Sequence, residues 1–209
     1  MIGYREVIRA VVDEQAPDGD MLYHQPGRFG DHDLNDFVPP QRDLRLAAVL
    51  VPVIEHKTDP HVLLTVRSAH LPSHSGQVAF PGGKVEKADG SPVAAALRET
   101  EEEVGISRDL VDVVGCLDMY QTGTAFNVLP VVGFVKPRIE LNVDTNEVAD
   151  VFEVPLSFLL DQKNHTIETA RYNGHDRRYY AIYFKDYFIW GATAGMIRNL
   201  SERVKKWAD

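Results

Sequence analysis

The chain has 209 residues, 44% hydrophobic and 25% charged, which fits one sizeable globular domain and excludes a disordered or fibrous chain. A net charge of −9 provides no global basic field for nucleic acid, so an anionic ligand requires a local basic pocket or bound cations. The single cysteine, Cys116, excludes an intramolecular disulfide and a cysteine-rich zinc centre, and its apolar neighbours Val113, Val114 and Leu117 mark it as a core thiol rather than a nucleophile.

The N-terminus, Met1 to Glu6, mixes polar and apolar residues and lacks a signal-peptide pattern. The longest strongly apolar run, Leu46 to Ile54, contains Pro52 and falls far short of the roughly 20 residues that span a bilayer. No membrane partner and a cytoplasmic location are expected. Val7, Ile8, Val11 and Val12 have helical spacing and predict a short amphipathic helix over 4–15. Residues 16–43, rich in Pro, Gly and Asp, read as an irregular arm. The chain is thus expected to divide into an N-terminal helix and arm, 1–43, and a main domain, 44–209.

In the main domain, Leu46–Ile54 and His61–Arg67 are strand candidates, followed by a polar loop over 68–76. A short strand, Val78–Phe80, stops at Pro81-Gly82-Gly83, and a helix follows at about 92–104. Further strands are expected at 111–118, 128–135, 166–172 and 178–184, with Asn173-Gly174 turning the last pair. Pro155–Leu160 suggests a short helix. Ala194, Met196, Ile197, Leu200 and Val204 form the apolar side of a terminal helix over 192–206. Strands and helices mix without strict βαβ alternation, which predicts an α/β (α+β) domain with helices packed on a mixed sheet.

The helix at 92–104 carries the chemistry. Ser91 suits the N-cap, Pro92 the first helical position and Gly105 the stop. Val93, Leu97, Thr100 and Val104 make a core-facing stripe, and Glu99, Glu102 and Glu103 are neighbours on another side. A glutamate-rich face is ordinarily a solvated surface. Here, however, like charges repel by roughly 0.2–0.5 kcal/mol per pair, with only Arg98 to compensate locally. The carboxylates also occupy the helix's C-terminal half, where the macrodipole disfavours anions by roughly 0.3–1 kcal/mol each. A divalent cation with oxygen ligands, Mg²⁺ or Mn²⁺, removes both penalties. The preceding Gly82-Gly83 lets backbone approach a metal or phosphate closely.

Gly83, Asp89 and Arg98-Glu99-Thr100-Glu101-Glu102-Glu103-Val104-Gly105-Ile106 together resemble the Nudix box. That box reads glycine, five residues, glutamate, seven residues, Arg-Glu, an apolar residue, any residue, Glu-Glu, any residue, glycine and an apolar residue. Asp89 replaces the usual glutamate, eight residues instead of seven separate it from Arg98, and Thr100 takes an apolar place. The first two departures resemble the coenzyme A diphosphatase branch. So do Leu63–Ser68 running on to Gly76–Gly83, Thr122–Phe126, Glu147-Val148 leading to Val154-Pro155-Leu156, and Ile189–Thr193. Branch members often carry arginine shortly before the Gly76 position; here Pro72-Ser73-His74-Ser75 has none.

The resemblance spans about 44–206. It implies a Nudix-type α/β/α sandwich and a metal-dependent hydrolase cleaving coenzyme A or its thioesters to 3′,5′-ADP and 4′-phosphopantetheine compounds. Another nucleoside diphosphate derivative, such as ADP-ribose or NADH, is the alternative substrate; a nucleotide-binding Nudix module without catalysis is the alternative class. Glu99 and Glu103 would be the main metal ligands, Glu102 a third, direct or through water, and Arg98 their orienting partner. Glu147 would be base or further ligand, with an exposed strand-edge glutamate as the plain alternative. Arg67, Lys84, Gly82 and Gly83 are the candidates for substrate phosphates. The partner is a small-molecule nucleotide, not a nucleic acid, and a homodimer is compatible with the family.

Competing signatures are missing. There is no Gly-x-Ser-x-Gly elbow, phosphate-cradling Gly-x-x-x-x-Gly-Lys-Ser/Thr loop or His-Glu-x-x-His. His70 and His74 read as loop residues, with phosphate contact as the alternative, and Tyr179, Tyr180, Tyr183 and Phe184 as strand packing, with nucleobase stacking as the alternative.

Overall fold

The computed structural model describes residues 3–17, 29–35, 44–137, 139–172 and 174–209. Strand β2 (Arg45–Ile54) is the axis of the fold, and its alternation separates two cores. Leu46, Ala48 and Leu50 face one layer, whereas Ala47, Val51 and Val53 face the other. Along one edge, β2 pairs in parallel with β8 (Phe126–Val135) over its full length. On its other edge, β3 (His61–Arg67) pairs with it only at Val53–Val62 and Ile54–His61.

The two strands then part, and residues 78–84 enter the gap. Strand β4 (Val78–Ala79) pairs with β3, and β5 (Gly82–Lys84) pairs with β2 opposite Ala47, Ala48 and Val49. The backbone amide of Leu50 donates to the Pro81 carbonyl at 2.9 Å, which fixes the turn between them. The double glycine therefore lies within the sheet rather than on a peripheral loop.

Strand β6 (Val111–Cys116) and strand β7 (Tyr120–Gln121) extend the sheet beyond β8, while β9 (Val148–Pro155) extends it beyond β3. Strand β1 (Phe29–Gly30) pairs in parallel with β7. Among the described residues these form one mixed nine-stranded sheet. A second, antiparallel sheet comprises β10 (His165–Tyr172), β11 (His175–Phe184) and β12 (Tyr187–Trp190).

Helix α2 (Pro92–Val104) covers one face of the large sheet through Ala95 and Ala96. Helices α1 (Tyr4–Val11), α3 (Leu156–Leu160) and α4 (Gly191–Ala208) cover the other, burying Ile8, Leu156, Leu159, Met196, Ile197 and Leu200. This is the expected α/β/α sandwich. Burial of α1 in that core brings the N-terminal helix into the same packed unit as the main domain. Among the described residues, no helix is long and apolar enough to cross a membrane.

Several boundaries differ from expectation. Helix α1 stops at Val11, and Asp13 instead exchanges backbone hydrogen bonds of 2.9 and 2.8 Å with Cys116. Strands β9 and β12 were not expected: β9 interrupts its apolar residues with Asp150 and Glu153, and β12 is only four residues long. Of the arm at 16–43, residues 18–28 and 36–43 lie outside the described residues, as does Asn173 of the expected turn. In the tyrosine cluster, Tyr183 stacks on Phe188, and Tyr179 meets Trp190 edge-on.

Candidate active site

Helix α2 starts where the sequence indicates. The Ser91 hydroxyl accepts from the Ala94 amide at 3.1 Å, and Pro92 occupies the first turn. Gly105, at φ 77°, ends the helix in a conformation that glycine tolerates best. The buried stripe is rotated from the one expected: Ala95, Ala96, Thr100 and Val104 are fully buried, and Val93 and Leu97 only partly. Two alanines at the contact let the helix lie close to β2. Thr100 fills its apolar place because its hydroxyl donates to the Ala96 carbonyl at 2.7 Å.

The same rotation turns Glu103 inward, leaving it 4% exposed. One carboxylate oxygen accepts from the Gly82 amide at 3.2 Å, and the other lies 3.8 Å from Arg67 Nη1. Burial pushes the Glu103 carboxyl up to about 7, opposed by the Gly82 amide and Arg67 and reinforced by the charges of Glu99 and Glu147. Glu99, one turn earlier, is also pushed up, first by burial and then by Glu102 and Glu147, against the pull of Arg98. Its carboxylate rests on Gly83, where a Cβ would come within 2.5 Å of it. Gly82 is required for a different reason: at φ 151°, its Cβ would meet the Ala48 carbonyl oxygen and Val49 Cα at 2.5 Å.

Arg98 organises the outer side. Its Nε and Nη2 fork onto the two oxygens of Asp89 at 2.7 and 3.1 Å. Its Nη1 reaches Glu99 at 3.0 Å and Glu102 at 2.9 Å, and Nη2 reaches the Lys84 carbonyl at 3.4 Å. The guanidinium is held more strongly protonated than usual, first by Asp89. The same fork keeps Asp89 below the usual carboxylate range. Asp89 is itself held by the Glu86 amide at 2.7 Å.

The loop before β9 completes the site. Asn142 and Asp144 donate their amides to the carbonyls of Val104 and Glu103 at 3.1 and 3.0 Å, satisfying the exposed end of α2. The Glu147 amide donates to the Asp144 carbonyl at 3.0 Å, and the Ser68 amide to the Glu147 carbonyl at 2.8 Å. Ser68 also donates its hydroxyl to the Thr145 carbonyl at 3.0 Å. Glu147 is thus tied beside Arg67, and its charge acts on both Glu99 and Glu103. Arg67 Nε is buried without a partner, next to the carboxylates.

Of the candidate residues, the structure brings together Glu99, Glu103, Glu147, Arg67, Gly82 and Gly83. Glu102 stands on the outer side of Arg98 with its side chain 60% exposed. The Lys84 side chain is exposed, and only its backbone carbonyl joins the network. His70 and His74 lie exposed in the 68–76 loop. Asp89, the anchor of Arg98, was visible only as an odd motif position, and Asp144 gave no sequence signal.

The donor set is all oxygen, and two desolvated carboxylates one helical turn apart lie over a glycine cradle. That chemistry fits a hard divalent cation. A family model described as "NUDIX domain" matches residues 44–173. The chain belongs to the Nudix family. It is 44% identical over 161 residues to a protein of Escherichia coli (strain K12) named "Uncharacterized Nudix hydrolase NudL", covering 77% of this chain and 83% of that one. The NudL protein of Klebsiella pneumoniae (strain 342) is 42% identical over 185 residues, covering 88% and 90%. A solved structure, the MutT protein from Methanosarcina mazei Go1, aligns at TM-score 0.49 and 20% identity over 79% of this chain and 96% of that one. As a Nudix hydrolase, the chain is in a family that generally uses divalent metal ions, in keeping with the donors described.

Proposed function

We propose that this Nudix hydrolase cleaves the diphosphate of coenzyme A or its thioesters, releasing 3′,5′-ADP and a 4′-phosphopantetheine compound, with Mg²⁺ or Mn²⁺. The observation that carries the hydrolytic reading is the desolvated Glu99–Glu103 pair over Gly82-Gly83, with Glu147 facing it. The substrate reading rests on the resemblance of the Asp89–Arg98 spacing and the Gly76–Gly83 segment to the coenzyme A branch.

Glu99 and Glu103 would hold the cation over the Gly82-Gly83 backbone. When bound, the cation neutralises phosphate oxygens and lowers the pKa of the attacking water. Arg98, locked by Asp89, holds the Glu99 carboxylate in position, and Glu102 serves through Arg98. Arg67, its side chain 26% exposed, would offer its guanidinium to a phosphate oxygen of the substrate. Glu147, exposed and anchored at both ends of its peptide, takes the proton from water as the P–O bond to the leaving phosphate breaks.

The test incubates the protein with coenzyme A, ADP-ribose and NADH in Mg²⁺ or Mn²⁺ and separates the products. Release of 3′,5′-ADP from coenzyme A, lost in excess chelator, is expected. Cleavage of ADP-ribose or NADH with coenzyme A untouched would replace this substrate with the alternative one.

A further inference from the structure

We propose that His56, His61 and Glu153 form a second metal site, suited to Zn²⁺, that clips the β2–β3 turn to β9. The site is separate from the carboxylate helix. His61 opens β3 and Arg67 closes it, so the two are separated by about 20 Å of extended strand.

Three elements converge here. His56 follows β2, His61 starts β3, and Glu153 lies on β9 opposite Leu63. Residues 61 and 63 share one face of the strand, so His61 and Glu153 project on the same side. One ligand atom from each of the three residues lies within 4.8 Å of the others. Among the described residues, this is the one such trio of His, Cys, Asp or Glu.

The hydrogen bonds point to a ligand rather than to a simple ion pair. His56 Nε2 lies 2.6 Å from Glu153 Oε2, which a histidine–glutamate pair alone would explain. His61 is different: its Nδ1 donates to the Asp59 carbonyl at 2.9 Å, and a carbonyl only accepts. Nδ1 therefore carries a proton, and in the neutral ring Nε2 carries the lone pair. This is the backbone-held arrangement by which proteins orient metal-binding imidazoles. The turn that supplies the carbonyl is itself braced. Ser157 donates its hydroxyl to Asp59 at 2.5 Å, and the Leu156 amide donates to the Pro60 carbonyl at 2.7 Å.

Two imidazoles and one carboxylate favour a d-block cation over Mg²⁺, which separates this site chemically from the oxygen-only one. Coordination through His56 Nε2 replaces its hydrogen bond to Glu153 and uses the ring tautomer with the proton on Nδ1. The His56–Glu153 pair also opens from 2.6 Å to the roughly 3.4 Å of tetrahedral zinc ligands. Both side chains are more than a third exposed, which leaves room for that rotation and for a water in the fourth position.

The test uses the full chain, stripped of metal and held in excess Mg²⁺ to occupy the carboxylate helix. Zn²⁺ is titrated by calorimetry and Co²⁺ by visible absorption. One equivalent of Zn²⁺ is expected to bind, with Co²⁺ giving the intense bands of a low-coordinate nitrogen–oxygen site. His61→Gln and Glu153→Gln should each weaken binding by at least about 100-fold, while Glu103→Gln leaves it unchanged. Thermal unfolding in chelator verifies that each variant folds. Zn²⁺ binding that survives both substitutions, that is absent above the Mg²⁺ background, or that disappears only in Glu103→Gln would overturn the site.

Discussion

Glu103→Gln should make the metal-free protein more stable while removing its activity. The Glu103 carboxyl is 4% exposed and pushed from 4.5 to about 7, so the folded protein binds this proton more tightly than the unfolded chain does. Below about pH 4.5 the group is protonated in both states and costs nothing. As pH rises from 4.5 to 7 the unfolded chain releases the proton first, and stability falls. Above 7 the full cost of the buried charge remains, about 3 kcal/mol at 1.36 kcal/mol per pKa unit. Glutamine has the same shape and no charge, and its carbonyl can still accept from the Gly82 amide. The shift is already net of the attraction of Arg67, so a gain of about 3 kcal/mol is expected at pH 8 in chelator, shrinking towards zero at pH 4.5. Urea denaturation at the two pH values measures it. Saturating Mg²⁺ should stabilise the native chain and leave the variant nearly unaffected. A variant no more stable than the native chain at pH 8, or one with the same gain at both pH values, would refute the reasoning.

The glycines separate the site from the fold. Gly83→Ala places its Cβ against the movable Glu99 side chain, so turnover should fall by about 100-fold with the melting temperature little changed. Gly82→Ala meets rigid β2 backbone instead and should lose about 1–3 kcal/mol of stability, read by denaturation. Asp89→Asn weakens the charged fork that locks Arg98, so kcat should fall by about 10–100-fold with KM nearly constant. Cys116 is 2% exposed and its thiol is pushed up to about 11 by burial, so iodoacetamide at pH 8 should label it only after unfolding, as mass spectrometry would show.

Most of α2 was legible because its caps, its Gly105 stop and its clustered glutamates are local signals. Its rotation was not. Hydropathy favours Val93 and Leu97 for the core, but the smaller Ala95 and Ala96 allow a closer approach to β2, and that choice decides that Glu103 is the buried carboxylate. Spacing alone makes Glu102 and Glu103 equivalent neighbours of Glu99. The fork of Arg98, anchored by Asp89, draws Glu102 outward. Glu147 was a candidate through the family resemblance alone; a local turn to Asp144 and the long-range bond from the Ser68 amide to its carbonyl bring it to the site. Strand β9 was missed for a related reason. Its Glu153 interrupts the apolar alternation and takes its place beside His56, a partner distant in sequence.

The central claim is cleavage of the coenzyme A diphosphate at the Glu99–Glu103 site. Its most direct test is the release of 3′,5′-ADP from coenzyme A, followed by chromatography, for the native chain and for Glu103→Gln in Mg²⁺ or Mn²⁺. The account predicts release by the native chain, none in excess chelator and only background release by the variant. Release that persists in chelator or in Glu103→Gln, or no 3′,5′-ADP from the native chain with either metal, would contradict it.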